Sequence, residues 1–490
     1  MWTTQRLQRF IQTKLGDIRL VIVANRETYS HHYQGERIIV QRPPGGLVAA
    51  IDPILRCCHG TLVAHGHGDA DRVVSDGQDR VHVPPEDPQY TIRRIWLTPE
   101  EMRGYYDGFS NDALWPLCHL AYTRPQFSAE AWEAYQRVNH RFAETVLDEL
   151  GTEPGLVWLQ DYHLALVPAM LKARRPDVLV AHFWHIPWPS YDNFRICPWR
   201  QEILWGLLGN DLLGFHIQQH GDHFLDCCDR ELEIRIDRER NSVFHHGGIE
   251  TMVRPLPIGI DACTIAVTAA APESAAAREQ WRGVLGISPA MKILLGVDRL
   301  DYTKGIPERL RAFSLMLEQH PEWKERAVFV QLGATTRAHI EAYRLLSEEV
   351  EGLVGEINAQ YGTDRWQPIR LIRHNVSTDD LVPLYQIADV CVVTSLHDGM
   401  NLVAKEFVAA QAECRGMLVL SRFAGAAQEL PEAILVNPFS DEHCAEAFHR
   451  ALTMPEEDRL LRMEQMHETV MEQNIFRWAS RSIAVMARLV

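Results

Sequence analysis

Two basic residues, Arg299 and Lys304, stand close together where the apolar run KILLG ends, just before Gly305. A strand that gives way to a helix at such a point can bind an anion, because the first N–H groups of a helix have no partner within it. Arginine and lysine would add charge-assisted hydrogen bonds to a multiply charged ligand. A surface cluster of ion pairs with Asp298 and Asp301 explains the same spacing equally well.

A second polar stretch, SLHDGMNLVAKEFVAAQ, begins at residue 395. It predicts a turn followed by a helix whose first N–H groups are also suited to an anion. The residues of that turn are Gly399, Met400 and Asn401. The carboxylates on either side of it, Asp398 and Glu406, are suited to sugar hydroxyls, as an acidic residue is in dinucleotide sites. From the local sequence alone, a solvated helix residue is the simpler interpretation of Glu406.

Short apolar runs precede these charged residues, and longer amphipathic stretches such as 130–150 and 307–320 separate the runs. The runs predict strands and the amphipathic stretches predict helices. Their alternation indicates βαβ units and parallel sheets, in numbers too large for one sheet. The apolar runs cover residues 20–26, 156–163, 178–187, 211–217, 292–299, 327–334, 390–399, 417–425 and 433–438.

The carboxyl ends of these predicted strands carry the residues of interest, because ligands of open α/β sheets bind beyond those ends. The polar residues at or just past them are Arg26, Asp161, His185, Arg299, Lys304, Arg337 and Asp398. We therefore expect these side chains to line binding sites.

The length of the chain, 490 residues, is enough for two hydrophobic cores and predicts two domains. The proline- and alanine-rich segment 254–277 has the composition of a domain link, and we place the boundary after Ile258. The first residues lack the apolar core of a secretory signal and predict a short amphipathic helix before the first strand.

Composition narrows the function classes. A formal net charge of −16 argues against a nucleic-acid or anionic-membrane binder. No apolar run has the length of a transmembrane helix. The ten cysteines are scattered, which indicates reduced thiols and a cytoplasmic location.

Metal binding is not predicted. The pairs His65–His67 and His220–His223 lack a third ligand at the spacing of known metal sites. Ordinary polar roles explain these histidines better. We likewise expect no cofactor.

Five motifs together resemble the trehalose-6-phosphate synthase family: GVDRLDYTKGIPERL, LHDGMNLVAKEFVAAQ, LQDYHLALVP, FWHIPWPS and YYDGFSNDALWPL. The resemblance implies a retaining glycosyltransferase of α/β class with the GT-B fold, in which two Rossmann-like parallel-sheet domains face a central cleft. It assigns acceptor binding to residues 1–258 and nucleotide-sugar binding to residues 259–470. A C-terminal helix within 471–490 is then expected to cross back to the first domain.

The resemblance also implies roles for matched residues. Those expected to bind the donor are Gly45, Gly46, His185, Arg299, Lys304, Asp398, Gly399, Met400, Asn401 and Glu406. Those expected to bind the acceptor are Arg26, His65, Tyr106, Trp115, Asp161 and Arg337. Catalytic roles fall to Arg299, Lys304, His185 and Asp161. Fixed cations would stabilise the charge that grows on the departing diphosphate. The resemblance implies front-face attack in which the leaving phosphate takes the acceptor proton, so no protein nucleophile is needed.

The chain departs from the family pattern at two places. Where the family usually has a tryptophan-containing segment, this chain has LVAHGHGDADR, with His65 near the tryptophan's place. If His65 reaches the acceptor phosphate, protonation near neutral pH should strengthen acceptor binding. The second departure is SLHDG, where the family more often has Pro-Leu-Arg before Asp-Gly.

The implied reaction transfers glucose from a nucleotide-glucose, with UDP-glucose preferred over GDP- or ADP-glucose, to glucose 6-phosphate and yields α,α-trehalose 6-phosphate. Two alternatives remain: a glucosylglycerol-phosphate synthase or related enzyme with another phosphorylated acceptor, and a non-catalytic regulatory subunit. A homo-oligomer and a separate trehalose-phosphate phosphatase are expected by resemblance, without nucleic-acid or membrane partners.

Overall fold

The computed structural model describes residues 1–16, 18–43, 46–245, 249–335, 337 and 339–489. The chain forms two compact units. The N-terminal unit comprises Trp2–Ile258 together with Ile475–Val490. The C-terminal unit comprises Gly259–Asn474 together with Met1. Each unit is built on its own largely parallel sheet.

The N-terminal unit contains a ten-stranded sheet and a separate hairpin. Its strands are β1 (Arg19–Arg26), β2 (Ser30–Gln34), β3 (Arg37–Gln41), β4 (Thr61–His65), β5 (Arg80–Val83), β6 (Tyr90–Ile95), β7 (Gly155–Gln160), β8 (Leu179–Phe183), β9 (Leu212–Phe215), β10 (Arg235–Asp237), β11 (Ser242–His245) and β12 (Ile249–Pro255). The large sheet has the order β10-β11-β12-β9-β8-β7-β1-β4-β6-β5. From β12 to β6 every neighbouring pair is parallel, so these strands present their carboxyl ends at one edge.

Helices cover this sheet. They are α1 (Thr4–Leu15), α2 (Gly46–Cys58), α3 (Asp71–Val74), α4 (Pro99–Glu101), α5 (Trp115–Cys118), α6 (Ala129–Leu150), α7 (Val167–Arg174), α8 (Tyr191–Phe194), α9 (Arg200–Leu207), α10 (Gln218–Glu231) and, from the end of the chain, α19 (Ile475–Met486). Trp478 of α19 packs its ring against Trp158 and donates its N–H to the carbonyl of Leu256, which fastens α19 to this unit.

A π-helix, Met102–Leu114, lies between α4 and α5. π-helical turns are rare and often found at functional sites. Gly104 and Gly108 let it approach α6 closely, since a Cβ at these positions would lie 2.5 Å from Ala134 Cβ and 2.9 Å from Ala131 Cβ. The close packing fixes the stretch that carries Tyr106.

The C-terminal unit contains a six-stranded sheet in which all neighbours are parallel, in the order β15-β14-β13-β16-β17-β18. Its strands are β13 (Lys292–Arg299), β14 (Ala327–Ala334), β15 (Ile369–Ile372), β16 (Val390–Val393), β17 (Met417–Ser421) and β18 (Ile434–Val436). Its helices are α11 (Ala262–Ala270), α12 (Pro272–Leu285), α13 (Ile306–Gln319), α14 (Glu341–Tyr361), α15 (Thr378–Ile387), α16 (Leu402–Ala410), α17 (Asp441–Thr453) and α18 (Glu456–Glu472).

The predicted elements agree closely with these elements. Each apolar run contains a strand, and the two amphipathic stretches form α6 and α13. The predicted N-terminal helix is α1, whose buried face is Leu7, Ile11 and Leu15. The expected link at 254–277 was wrong in its character, because α11 and α12 occupy most of it. Alanine is the strongest helix former, and Pro272 begins α12, where proline costs no hydrogen bond.

None of the helices in the described part of the chain combines the length and the apolar character needed to cross a bilayer. All ten cysteines are unpaired, and burial is the main cause that raises the pKa of thiols such as Cys57 and Cys228.

Candidate active site

Lys304 and Asp398 form an ion pair in the C-terminal unit, with 2.5 Å between Nζ and Oδ2. The same carboxylate oxygen accepts hydrogen bonds from Ser395 and Asn401, each at 3.2 Å. Burial lowers the pKa of Lys304, but Asp398 and the other nearby carboxylates outweigh it and raise the pKa above the usual value. Lys304 is therefore a permanent cation at the turn after β13.

Arg309 fixes the backbone of this turn. Its guanidinium is fully buried in α13 and donates to the Lys304 carbonyl at 2.7 Å, to Asp298 at 2.6 Å and to Thr394 at 2.8 Å. Gly305 is required beside it, because φ is +62° and a Cβ would lie 2.2 Å from the Thr394 carbonyl oxygen. The sequence prediction did not single out Arg309, although it lies in the same motif as Lys304.

Arg299 and Arg337 both lower the pKa of the buried Asp301 carboxyl. Desolvation raises the pKa of this carboxyl, but Arg299, Arg337 and Lys304 outweigh it, and the pKa falls below the usual value. Arg337 donates to the Tyr343 hydroxyl at 2.6 Å and lies 3.9 Å from Asp301. The predicted acceptor residue Arg337 thus lies in the C-terminal unit, as do the predicted donor residues Arg299 and Lys304, and its acceptor role stays a prediction.

The turn before α16 is held by a neighbouring loop. Asp398 and Met400 exchange backbone hydrogen bonds with residues 423–426. Gly425 allows this approach, since a Cβ there would lie 2.1 Å from the Gly399 carbonyl oxygen. Asn401 adopts φ +79° and ψ +97°, and its side chain caps the helix by accepting from Ala404 N–H. Strained backbone of this kind is concentrated at functional sites.

Glu406 lies on α16 and accepts a hydrogen bond from the Tyr385 hydroxyl at 2.9 Å. Burial raises the pKa of its carboxyl, although the Tyr385 bond opposes the shift. The solvated interpretation of Glu406 is therefore wrong, and a half-buried carboxylate has the environment of a ligand-binding group.

In the N-terminal unit, Arg26 at the end of β1 donates to the Tyr106 hydroxyl at 3.0 Å. The Tyr106 ring in turn stacks on His163, with centroids 5.7 Å apart and planes 7° apart. Arg26 remains exposed, so its charge is available to a ligand. Trp115 is only 6% exposed and packs against His119 and Tyr162. This environment suits a packing role better than a polar contact with a ligand.

Asp161 follows β7 with φ +73° and ψ 170°, a conformation almost restricted to glycine. Hydrogen bonds to the neighbouring strand β8 and to His185 beyond it hold it there. Its N–H donates to the Phe183 carbonyl, His182 donates to its carbonyl, and its carboxylate accepts from the His185 N–H. Strain of about 1–3 kcal/mol at such a residue supports a functional role for Asp161.

His185 lies beyond the end of β8, and its ring bonds the Gln160 side chain at 2.9 Å. Burial lowers the pKa of His185 to about 3, so the imidazole is neutral near pH 7. A neutral ring fits hydrogen bonding better than acid catalysis. Its catalytic role stays a prediction.

His65 lies at the end of β4, and its pKa differs from the ordinary histidine value. Burial lowers its pKa, and its Nδ1–H donates to the Ile95 carbonyl at 3.1 Å. The lowered pKa disfavours a charged His65 and favours the alternative that His65 packs within the fold. Its contact with the acceptor stays a prediction. Of the predicted glycine loop, Gly45 lies outside the described residues, and Gly46 begins α2.

Comparison with known proteins identifies the family. The model of glycosyltransferase family 20 matches residues 18–488. The chain belongs to glycosyltransferase family 20.

Relatives in this family match most of the chain. A trehalose-6-phosphate synthase of Mycolicibacterium vanbaalenii is 38% identical over 483 residues, which cover 97% of each chain. A UDP-forming α,α-trehalose-phosphate synthase of Schizosaccharomyces pombe is 40% identical over 369 residues, which cover 74% of this chain and 71% of the relative.

Solved structures of the family share the fold. A solved structure described as trehalose-6-phosphate from E. coli bound with UDP-2-fluoro glucose superposes on this chain with a TM-score of 0.85 at 32% identity. The match covers 96% of this chain and 99% of that one. A UDP-forming α,α-trehalose-phosphate synthase from Burkholderia xenovorans in complex with glucose-6-phosphate gives a TM-score of 0.84 at 33% identity and the same coverage. The predicted α/β class and GT-B fold are confirmed.

Two clusters in this family 20 chain have side chains of metal-ligand type: His320, Glu322 and His449, and Glu27, His67 and Asp71. The rings of His320 and His449 stack 3.6 Å apart and nearly parallel, so their in-plane lone pairs do not converge. In the second cluster Arg94 already bonds Glu27 at 2.7 Å and Asp71 at 2.8 Å. Neither cluster supports a metal-site proposal.

Proposed function

We propose that the chain is a UDP-forming α,α-trehalose-phosphate synthase that transfers glucose from UDP-glucose to glucose 6-phosphate. The observation that carries the proposal is the full-length similarity to synthases, including one solved with a UDP-glucose analogue and one with glucose-6-phosphate. The intact Lys304–Asp398 pair and the half-buried Glu406 favour a catalytic member over a regulatory one.

The site residues divide between the two units. We assign the donor diphosphate to Arg299 and Lys304, the donor ribose to Glu406, and the donor glucose to Asp398 and His185. We assign the acceptor sugar to Asp161. The acceptor phosphate is assigned to Arg26, Tyr106 and Arg337.

The chemical step follows from these charges. When the bond between glucose and diphosphate breaks, negative charge grows on the departing phosphate oxygen. Fixed cations stabilise that charge more than they stabilise the ground state, which lowers the barrier. The leaving phosphate can accept the proton of the attacking hydroxyl, consistent with the neutral state of His185.

The test is a panel of nucleotide-glucose donors and phosphorylated acceptors, with product identity determined by NMR. UDP-glucose with glucose 6-phosphate should give α,α-trehalose 6-phosphate as the main product. A preference for glycerol 3-phosphate as acceptor would replace the proposed function by the alternative synthase. No transfer with any pair would favour the regulatory subunit.

Three finer proposals rest on resemblance and composition. We infer a homo-oligomer, a cytoplasmic location consistent with ten unpaired thiols, and a separate phosphatase that consumes the product. Light scattering on the purified protein tests the first, and fractionation of the source cells tests the second.

Glu406→Gln is expected to weaken donor binding while stabilising the fold. Loss of the charged acceptor should raise the donor KM by about tenfold. The folded pKa of Glu406 is raised, so the wild type loses stability as pH rises through that pKa, whereas glutamine does not. Urea unfolding should show a gain for the variant at pH 8 that shrinks as pH falls. Equal stability of the wild type and the variant at every pH would contradict the raised pKa of Glu406.

His65→Gln is expected to leave the pH dependence of acceptor binding unchanged between pH 6.5 and 8. Burial lowers the pKa of His65, which favours the neutral ring over this range. The measurement is the KM for glucose 6-phosphate of both proteins across the range. If the affinity for glucose 6-phosphate strengthens with falling pH in the wild type but not in the variant, His65 is charged in this range and the prediction is wrong.

A further inference from the structure

Gln160 is the last residue of β7, and its side chain contacts His185. His185 lies two residues beyond the residue of β8 that pairs with Gln160. Gln160 pairs with Phe183 of β8. Side chains alternate between the two faces of a sheet, so Phe183 and His185 share a face with Gln160. Oε1 of Gln160 lies 2.9 Å from Nε2 of His185, and Gln160 itself is 1% exposed.

This buried amide is costly to the fold. Nε2 of Gln160 has no hydrogen-bond partner within the described ranges of the chain. A buried polar group left in this way destabilises a protein, and an apolar side chain of similar size would avoid the cost. The bond to His185 is the one interaction of this amide that an apolar side chain could not replace.

The bond also determines the proton position on His185. A carbonyl oxygen only accepts, so the proton of the neutral ring lies on Nε2 and the lone pair on Nδ1. No described residue bonds Nδ1, and the chain does not enclose this atom. His185 therefore presents a hydrogen-bond acceptor, and no donor, to a ligand.

We propose that Gln160 is a positioning residue that holds His185 as an acceptor for one hydroxyl of the transferred sugar. The identity of that sugar, glucose, rests on the proposed function. Reversal of the amide would instead place a proton on Nδ1 and make His185 a donor, which reverses the hydrogen bond to the hydroxyl.

The neutral amide has a second consequence. The titratable groups around His185 are Asp161, whose carboxylate accepts from the His185 N–H, His182, whose pKa burial lowers to about 4, and His216, which donates to the His185 carbonyl. None of these contacts places a carboxylate on the His185 ring nitrogens. Gln160→Glu would add one at Nε2 and favour the protonated ring.

The first experiment observes His185 directly by NMR of protein with labelled histidines, assigned with His185→Gln. The wild type should show the Nε2–H tautomer and no titration between pH 6 and 8.5. Gln160→Met should mix the tautomers, and Gln160→Glu should move titration into this range. The His182 signals, which report the bond to Asp161, should not change. An Nδ1–H tautomer in the wild type, or unchanged His185 signals in Gln160→Met, overturns the proposal.

The second experiment measures kcat/KM with UDP-glucose and its monodeoxy analogues. Gln160→Met should lose about tenfold with UDP-glucose, the effect of one hydrogen bond. The loss should disappear for the single analogue that lacks the hydroxyl bound by His185. An equal loss with every analogue would show a general structural effect and overturn the sugar contact.

The two experiments separate the inference from the proposed function. The NMR measurement needs no substrate. A wild type that shows the Nε2–H tautomer but transfers glucose from no donor would refute the proposed function and leave the effect of Gln160 on His185 standing.

Discussion

Lys304→Ala is expected to lower kcat by about 100-fold or more, because removal of one group that stabilises transition-state charge typically costs that much. The KM for the acceptor should change little, since Lys304 is assigned to the donor diphosphate. Steady-state kinetics with each substrate varied in turn separates these effects.

Lys292→Ala is the matched control. Lys292 begins β13, the strand that Lys304 follows, and bonds Asp389 at 2.7 Å, much as Lys304 bonds Asp398. The two lysines differ in lying at opposite ends of the strand, and ligands bind at the carboxyl end. Lys292→Ala should keep its kcat. Similar losses in both variants would show that Lys304 acts through stability alone.

Loss of Lys304 also leaves Asp398 without its cation. A buried carboxylate without its partner destabilises the unliganded protein. Lys304→Ala combined with Asp398→Asn should recover thermal stability but not turnover. Recovery of both would mean that the pair is structural.

The sequence was sufficient to predict the parallel sheets. Strands buried on both faces are continuous apolar runs, and β13 and β14 are of this type. Because ligands bind at the carboxyl ends of such strands, position made Arg299 and Lys304 candidates, although surface ion pairs explained their spacing equally well. The resemblance to a family then supplied their roles.

Other features depend on contacts distant in sequence. From the local sequence alone a solvated residue was the simpler interpretation of Glu406, because its partner, Tyr385, lies on another helix, 21 residues away. The sequence suggested the ordinary pKa for His65 because the burial that lowers it is a tertiary feature. The π-helix at 102–114 has no periodicity that separates it from an α-helix.

Local strain was equally hidden from the sequence. Asp161, Arg337 and Asn401 all have positive φ, although none is glycine. A pattern of residue types gives no sign of this, because positive φ in such residues is maintained by surrounding hydrogen bonds. These three are among nine non-glycine residues of the described ranges with positive φ, and the family resemblance had selected all three.

Arg26→Ala is expected to abolish most of the discrimination between glucose 6-phosphate and free glucose. A charge-assisted hydrogen bond contributes about 1.5–3 kcal/mol, so kcat/KM for glucose 6-phosphate should fall by about 10- to 100-fold. The slow reaction with free glucose should be unchanged, because that acceptor has no phosphate for Arg26 to bind. The measurement is the ratio of kcat/KM for the two acceptors.

Arg19→Ala provides the control at the other end of β1. Arg19 begins the strand and bonds Glu149, whereas Arg26 ends it and bonds Tyr106. Arg19→Ala should lower stability without changing the acceptor ratio. Tyr106→Phe should have a smaller effect of the same kind as Arg26→Ala, and the double variant should lose less than the sum, because Tyr106 orients Arg26. Equal losses with glucose and glucose 6-phosphate in Arg26→Ala would show that Arg26 does not bind the phosphate.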